Sequence, residues 1–224
     1  MLYFLIFGYF WLIAFILSCN EFVIVVSAAS WYFSNKDIPD DDGIPGDAEV
    51  WKGFWWIPRY HFGSLALGSL MIAIVWCIRA IFEYAATKLQ DATGENAFTK
   101  CLLTSIRCCL DCFDRFMRYL TRNAYIYLAI SSENFCSSAL NAFILVLKNS
   151  AKFAFVEGFS EMFMFIAKVC IAFISTITSL LIMNYTLESP VSSPILPGII
   201  MLGVGLVVAS IFVSIFDAAS NTIL

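Results

Sequence analysis

Glu21, next to Asn20, is the one charged residue in an otherwise uncharged apolar stretch, Leu2–Phe33. A carboxylate is costly in hydrocarbon. One kept there binds a cation, carries a proton once desolvation favours its neutral form, or pairs with a neighbouring helix for structure. His61, the only histidine, follows Tyr60 at the start of another apolar stretch. It can titrate near neutrality; an ordinary interface histidine is the alternative. Glu157 and Glu161 stand one turn apart with Lys168 two turns on, a spacing for an ion network or, preferably, for side chains that reach back to the headgroups. Cys101, Cys108, Cys109 and Cys112 cluster among the eight cysteines. Adjacent cysteines such as Cys108 and Cys109 point about 100° apart on a helix. With no histidine near them, a zinc tetrahedron is not expected. Cys108, Cys109 and Cys112 are candidates for reversible lipidation at a membrane interface, with plain packing as the alternative. No nucleophile–base pair, phosphate loop or metal-ligand spacing is present, so neither an enzyme nor a cofactor is expected.

The elements that must position these residues follow from composition. Of 224 residues, 61% are apolar and 13% charged, against about 45–50% and about 25% in soluble domains. A chain of this size cannot hide that excess from water, so it must face lipid. This excludes soluble enzymes, secreted disulfide scaffolds and, with a net charge of −4, nucleic-acid binders. Four stretches are long enough to cross about 30 Å of hydrocarbon: residues 2–33, 60–82, 162–184 and 195–216. Their continuous apolar character argues for helices rather than alternating barrel strands. The expected fold is all-α, a polytopic helical bundle forming one transmembrane domain over residues 1–224. An N-terminal signal peptide is not expected, because no basic residue precedes Leu2 and the apolar run is too long.

Charge assigns the sides. The connection 34–58 holds Lys36 and Lys52 against six acidic residues, and 188–197 holds no basic residue, whereas 83–157 holds eight of the thirteen. The positive-inside rule makes 83–157 cytoplasmic, the other two connections outer, and both termini cytoplasmic. The sequon at Asn184 then falls outside but hugs the membrane, so reliable glycosylation is not expected. Residues 125–147 resemble a fifth span, yet crossing there would invert everything downstream. The polar run Ser131-Ser132-Glu133-Asn134 breaks the stretch into two pieces, 124–130 and 139–147, each too short to span. They are predicted to form a re-entrant or in-plane helical pair. Residues 98–120 place Leu102, Ile106, Cys109, Phe113, Phe116 and Leu120 on one helical face and charges on another. That pattern suits an interfacial amphipathic helix or, equally, a packed cytoplasmic one.

Several blocks together resemble the choline transporter-like family (the solute carrier family 44 type). They are Arg122-Asn123-Ala124-Tyr125-Ile126 with Ala129-Ile130, then Asn134-Phe135-Cys136, Ser138-Ala139 and Asn141-Ala142-Phe143. Tyr60-His61, Gly63-Ser64-Leu65-Ala66, Gly68, the four clustered cysteines, Trp31-Tyr32 and the Glu161…Lys168 spacing match as well. The resemblance covers the family's C-terminal half. It implies a carrier moving choline and ethanolamine across the plasma membrane or an organelle membrane, with proton exchange proposed for the family. A missing N-terminal half is the expected partner, beside the lipid bilayer and a small cationic solute. A quaternary nitrogen offers no hydrogen-bond donor, so only aromatic faces and a nearby negative charge can hold it. On that basis Glu21, Asn20, Trp11, Trp31, Tyr60 and Trp76 are the substrate-binding candidates. Glu21 and His61 are the proton-coupling candidates. Trp51, Trp55 and Trp56 are assigned to an outer aromatic belt. The second reading is a non-transporting scaffold or partner subunit on the same fold.

Overall fold

In hydrocarbon an isolated segment satisfies its own N–H and C=O groups only as a helix, and helix is what the chain adopts. The computed structural model describes residues 1–33, 48–93, 97–186 and 195–224. The acidic run Asp40-Asp41-Asp42 and most of the connection 188–197 lie outside the described residues. Among those described there are seven α-helices and no strand. They are α1 (Leu2–Phe33), α2 (Val50–Trp56), α3 (Phe62–Thr93), α4 (Ala97–Ser131), α5 (Phe135–Lys148), α6 (Ser150–Thr186) and α7 (Ile195–Ile223).

Four helical stretches are long and apolar enough to cross a membrane: Phe4–Phe33, Val50–Gln90, Ser150–Tyr185 and Ile195–Ile223. The second begins earlier than the apolar count alone suggests. A π-helical turn, Ile57–His61, joins α2 to α3 without a break and carries Pro58 in its first turn. Proline lacks the N–H that an α-helical bond would use, and the wider π turn accommodates that loss while the helix continues. A bent pair completes the set: Thr99–Ser131 and Phe135–Lys148 meet at 109°. The bend falls in the polar run, where Ser132 takes φ 57°, the left-handed geometry that closes helix ends.

One expectation changes. The amphipathic stretch 98–120 and the apolar piece 124–130 form a single helix, α4. Thr121, Arg122 and Asn123 between them include neither glycine nor proline, so nothing stops propagation. The apolar stripe of α4 is also its outer face: Leu102, Ile106, Phe113 and Phe116 are exposed. Leu103, Asp114, Met117, Thr121, Ala124, Tyr125 and Leu128 are buried. The inner face thus mixes large apolar side chains with Asp114 and Thr121, and the apolar periodicity alone does not tell which side of the helix packs.

The chain divides into two compact units, Met1–Leu147 and Lys148–Leu224. In the first, α1 and α4 both pack along α3, around a core of Phe22, Val26, Ile57, Leu65, Ala124, Tyr125, Leu128 and Phe135. In the second, α6 and α7 form an antiparallel pair in close approach at Gly205, where an added Cβ would stand 2.7 Å from Ser175 Oγ.

Candidate functional site

The helices α3 and α4 run antiparallel in a long register. Glu83 pairs with Arg107 and Arg79 with Asp111. Farther along, Arg118 lies over the Trp76 ring, 5.3 Å from its centroid. Gly68 then faces Tyr125: a Cβ there would meet the phenol oxygen at 2.5 Å and Phe135 Cε2 at 2.7 Å. Only glycine lets the two helices approach so closely. The buried Tyr125 hydroxyl donates to Ser18 Oγ of α1 at 3.0 Å, with the Leu65 carbonyl 3.4 Å away.

At the α4–α5 bend this register opens into a cavity of about 490 Å³ lined by Trp56, Tyr60, His61, Ser64, Ser132, Glu133 and Asn134. The volume lies within the range of small-molecule sites. The end of α2, the π turn and the first turn of α3 supply one wall, and the bend supplies the other. Glu133 Oε2 accepts from Ser137 Oγ at 2.6 Å and from Asn141 Nδ2 at 3.1 Å, so two groups of α5 fix the carboxylate. His61 is buried with its ring 5.0 Å from that of Phe22, which packs its imidazole against α1. Arg59 covers one face of Tyr60, 5.6 Å from the ring centroid, and donates from Nε to its hydroxyl at 3.0 Å. The lining thus joins one carboxylate, three rings and several neutral hydrogen-bonding groups. That set can hold a compact organic cation carrying a hydroxyl.

A family profile described as "Plasma-membrane choline transporter" matches residues 1–224. The chain belongs to the choline transporter-like family. It is 34% identical over 219 residues to choline transporter-like protein 2 of Dictyostelium discoideum, covering 97% of this chain and 33% of that protein. It is 38% identical over 165 residues to choline transporter-like protein 2 of Homo sapiens, covering 74% of this chain and 22% of that protein. The match to choline transporter-like protein 5-A of Danio rerio is 38% over 162 residues. The chain therefore spans between about a fifth and a third of the length of these relatives. Family and apolar helices together make it a multi-pass membrane protein of a transporter family.

Within this choline transporter-like fold the sequence-predicted residues separate. Tyr60 and His61 line the cavity. Glu21 is half-buried on α1, one turn beyond Ser18, within electrostatic reach of the Tyr125 hydroxyl. Asn20 is exposed. Trp31 is exposed near the end of α1. Trp11 donates from Nε1 to the Ala66 carbonyl at 3.3 Å, and Trp76 lies edge-on to Phe10 at 6.4 Å. None of these five is in the cavity wall. Cys101, Cys108, Cys109 and Cys112 are exposed on α4, and Asn184 is exposed near the end of α6. Trp56, Ser64, Ser132, Glu133 and Asn134 complete the lining. The signal for Glu133 was available: it is the acidic residue inside a polar break in an apolar stretch, where irregular backbone marks a protein-lined or water-lined site.

Proposed function

We propose that the chain is the solute-holding part of a transporter for choline and related amine cations, working by alternating access in the plasma membrane. The observation that carries this reading is the convergence of Glu133 with Trp56, Tyr60 and His61 on one cavity at the bend of a broken helix pair. The quaternary nitrogen seats against the indole and the open face of the phenol, with Glu133 as counter-charge. The solute hydroxyl is met by Ser64, Ser132 or Asn134. Glu21 then acts on the Tyr125–Ser18 contact between helices rather than on the solute, and His61 is the nearer candidate for proton coupling.

The test is labelled-choline uptake and equilibrium binding by the full-length protein. Glu133→Gln and Trp56→Ala are each expected to weaken choline binding roughly tenfold, about 1.4 kcal/mol, while Glu21→Gln leaves binding within about twofold. Unchanged binding in both cavity variants would sink the assignment. A full-length protein that neither binds nor moves choline would leave the scaffold reading in its place.

A further inference from the structure

The α3–α4 interface that opens into the cavity closes elsewhere on charge. Roughly 25 Å of helix, at 1.5 Å per residue, separates Asp114 from the end of α4 at Ser131, nearly the thickness of a bilayer core. Asp114 is buried on the inner face of α4, its side chain 7% exposed. Its Oδ2 takes Arg118 Nη2 at 2.6 Å from its own helix, and Arg79 Nη1 of α3 stands 3.9 Å away. Arg79 Nη2 reaches Asp111 Oδ1 at 2.7 Å. One turn further along α3, Glu83 takes Arg107 in a forked pair, Nε to Oε1 at 3.0 Å and Nη2 to Oε2 at 2.7 Å. Between this cluster and the cavity lie further buried polar side chains of α3, α4 and α1: Thr121, Ser69 and the Tyr125–Ser18 pair.

We propose that Arg79 with Asp111 and Asp114, backed by Glu83–Arg107, is an ionic gate closing the end of the solute path opposite the cavity. The inference rests on reading the Glu133 cavity as the solute mouth. Its bonds divide in a way that suits a gate. Arg79–Asp111 and Glu83–Arg107 cross between helices and must break if α3 and α4 part. Arg118–Asp114 lies within α4 and survives, so the buried carboxylate is never left without a cation. Three side-chain polar atoms are buried without partners among the described residues, Ser138 Oγ on α5 and, beside this cluster, Asp114 Oδ1 and Trp76 Nε1. Such groups destabilise the arrangement that buries them, and parting the helices would let water reach Asp114 and Trp76. The crossing pairs are about half exposed, and pairs of that kind hold weakly. The closed state is therefore held by bonds that can exchange for hydration, as a two-state element requires.

The two crossing pairs have opposite polarity, arginine on α3 in one and on α4 in the other, so charge swaps test them separately. In the full-length protein, Arg79→Glu and Asp111→Arg are each expected to cut choline uptake roughly tenfold, with equilibrium choline binding in detergent kept within about twofold. The combined swap is expected to restore most of the uptake. Uptake unchanged by either single variant, or a double swap no better than the singles, would overturn the gate. Should those variants fail to reach the membrane, the Glu83→Arg and Arg107→Glu pair decides: rescue by its double swap supports the gate, and no rescue overturns it. The cavity reading fails differently, through choline binding that Glu133→Gln leaves intact while the swaps still behave as stated.

Discussion

The two helix pairs, α3–α4 and α6–α7, solve the same packing problem with different chemistry. Both run antiparallel, and both use a glycine to bring helices together, Gly68 against Tyr125 and Gly205 against Ser175 and Ala172. Around α3–α4, however, the first unit buries His61, Asp114, Ser18, Ser69, Thr121 and Ser138. In α6 and α7 the buried polar groups among the described residues are Thr176 and Thr222. Each donates to a carbonyl one turn back in its own helix, at 2.7 and 2.8 Å. Helices in lipid can associate through small residues and close packing without buried polar contacts between them, and the second pair is built that way. Polar groups buried beyond that need mark where chemistry is done, which is why the site is argued from α3, α4 and the bend rather than from the more hydrophobic pair.

The difference is most exposed to test at its glycines. Gly68→Ala drives a Cβ to 2.5 Å from the Tyr125 oxygen and 2.7 Å from the Phe135 ring. Both rings are held in the core, so neither can turn away. Overpacking of this kind costs about 1–3 kcal/mol, read as loss of thermal stability of the full-length protein in detergent. Gly205→Ala meets Ser175 Oγ, which can rotate, but also the Ala172 Cα at 3.4 Å. A smaller loss, about 1 kcal/mol, is expected there. Gly203→Ala, two residues away, meets nothing within 4 Å and should stabilise slightly, because alanine is the better helix former. Equal effects at all three positions would erase the distinction between pinned and adaptable contacts.

The sequence made the spans legible because an apolar run of about 20 residues has one physical use. It also made the bend legible, since Ser131-Ser132-Glu133-Asn134 cannot lie in lipid unaccompanied. It did not show that 98–120 and 124–130 are one helix. The amphipathic pattern ends at Leu120 and the apolar piece begins at Ala124, yet none of the three residues between them breaks a helix. Periodicity identified an apolar stripe on α4 but not its direction, because large apolar side chains such as Leu103, Met117 and Leu128 lie on the other, packed face. The cavity was hidden for a related reason. Glu21 stood out because its neighbours in sequence are apolar, whereas Glu133 gains its meaning from Trp56, Tyr60 and His61, which only the register of α3 against α4 brings near.

The smallest expected effect separates packing from hydrogen bonding at the centre of the first pair. Tyr125 is fully buried, and its hydroxyl links α4 to Ser18 of α1. If that bond holds the helices together, Tyr125→Phe and Ser18→Ala should each destabilise the protein, and the double variant should lose less than their sum. The coupling expected for a hydrogen bond between helices in a membrane is about 0.6 kcal/mol, because the separated helices find other partners. If Tyr125 contributes only its ring, Tyr125→Phe keeps the contact with Gly68 and Phe135, and the two substitutions add without coupling. A coupling near zero beside a large Gly68→Ala effect would place the first pair with the second, held by shape alone. The polar seam would then have to be justified by transport rather than by stability.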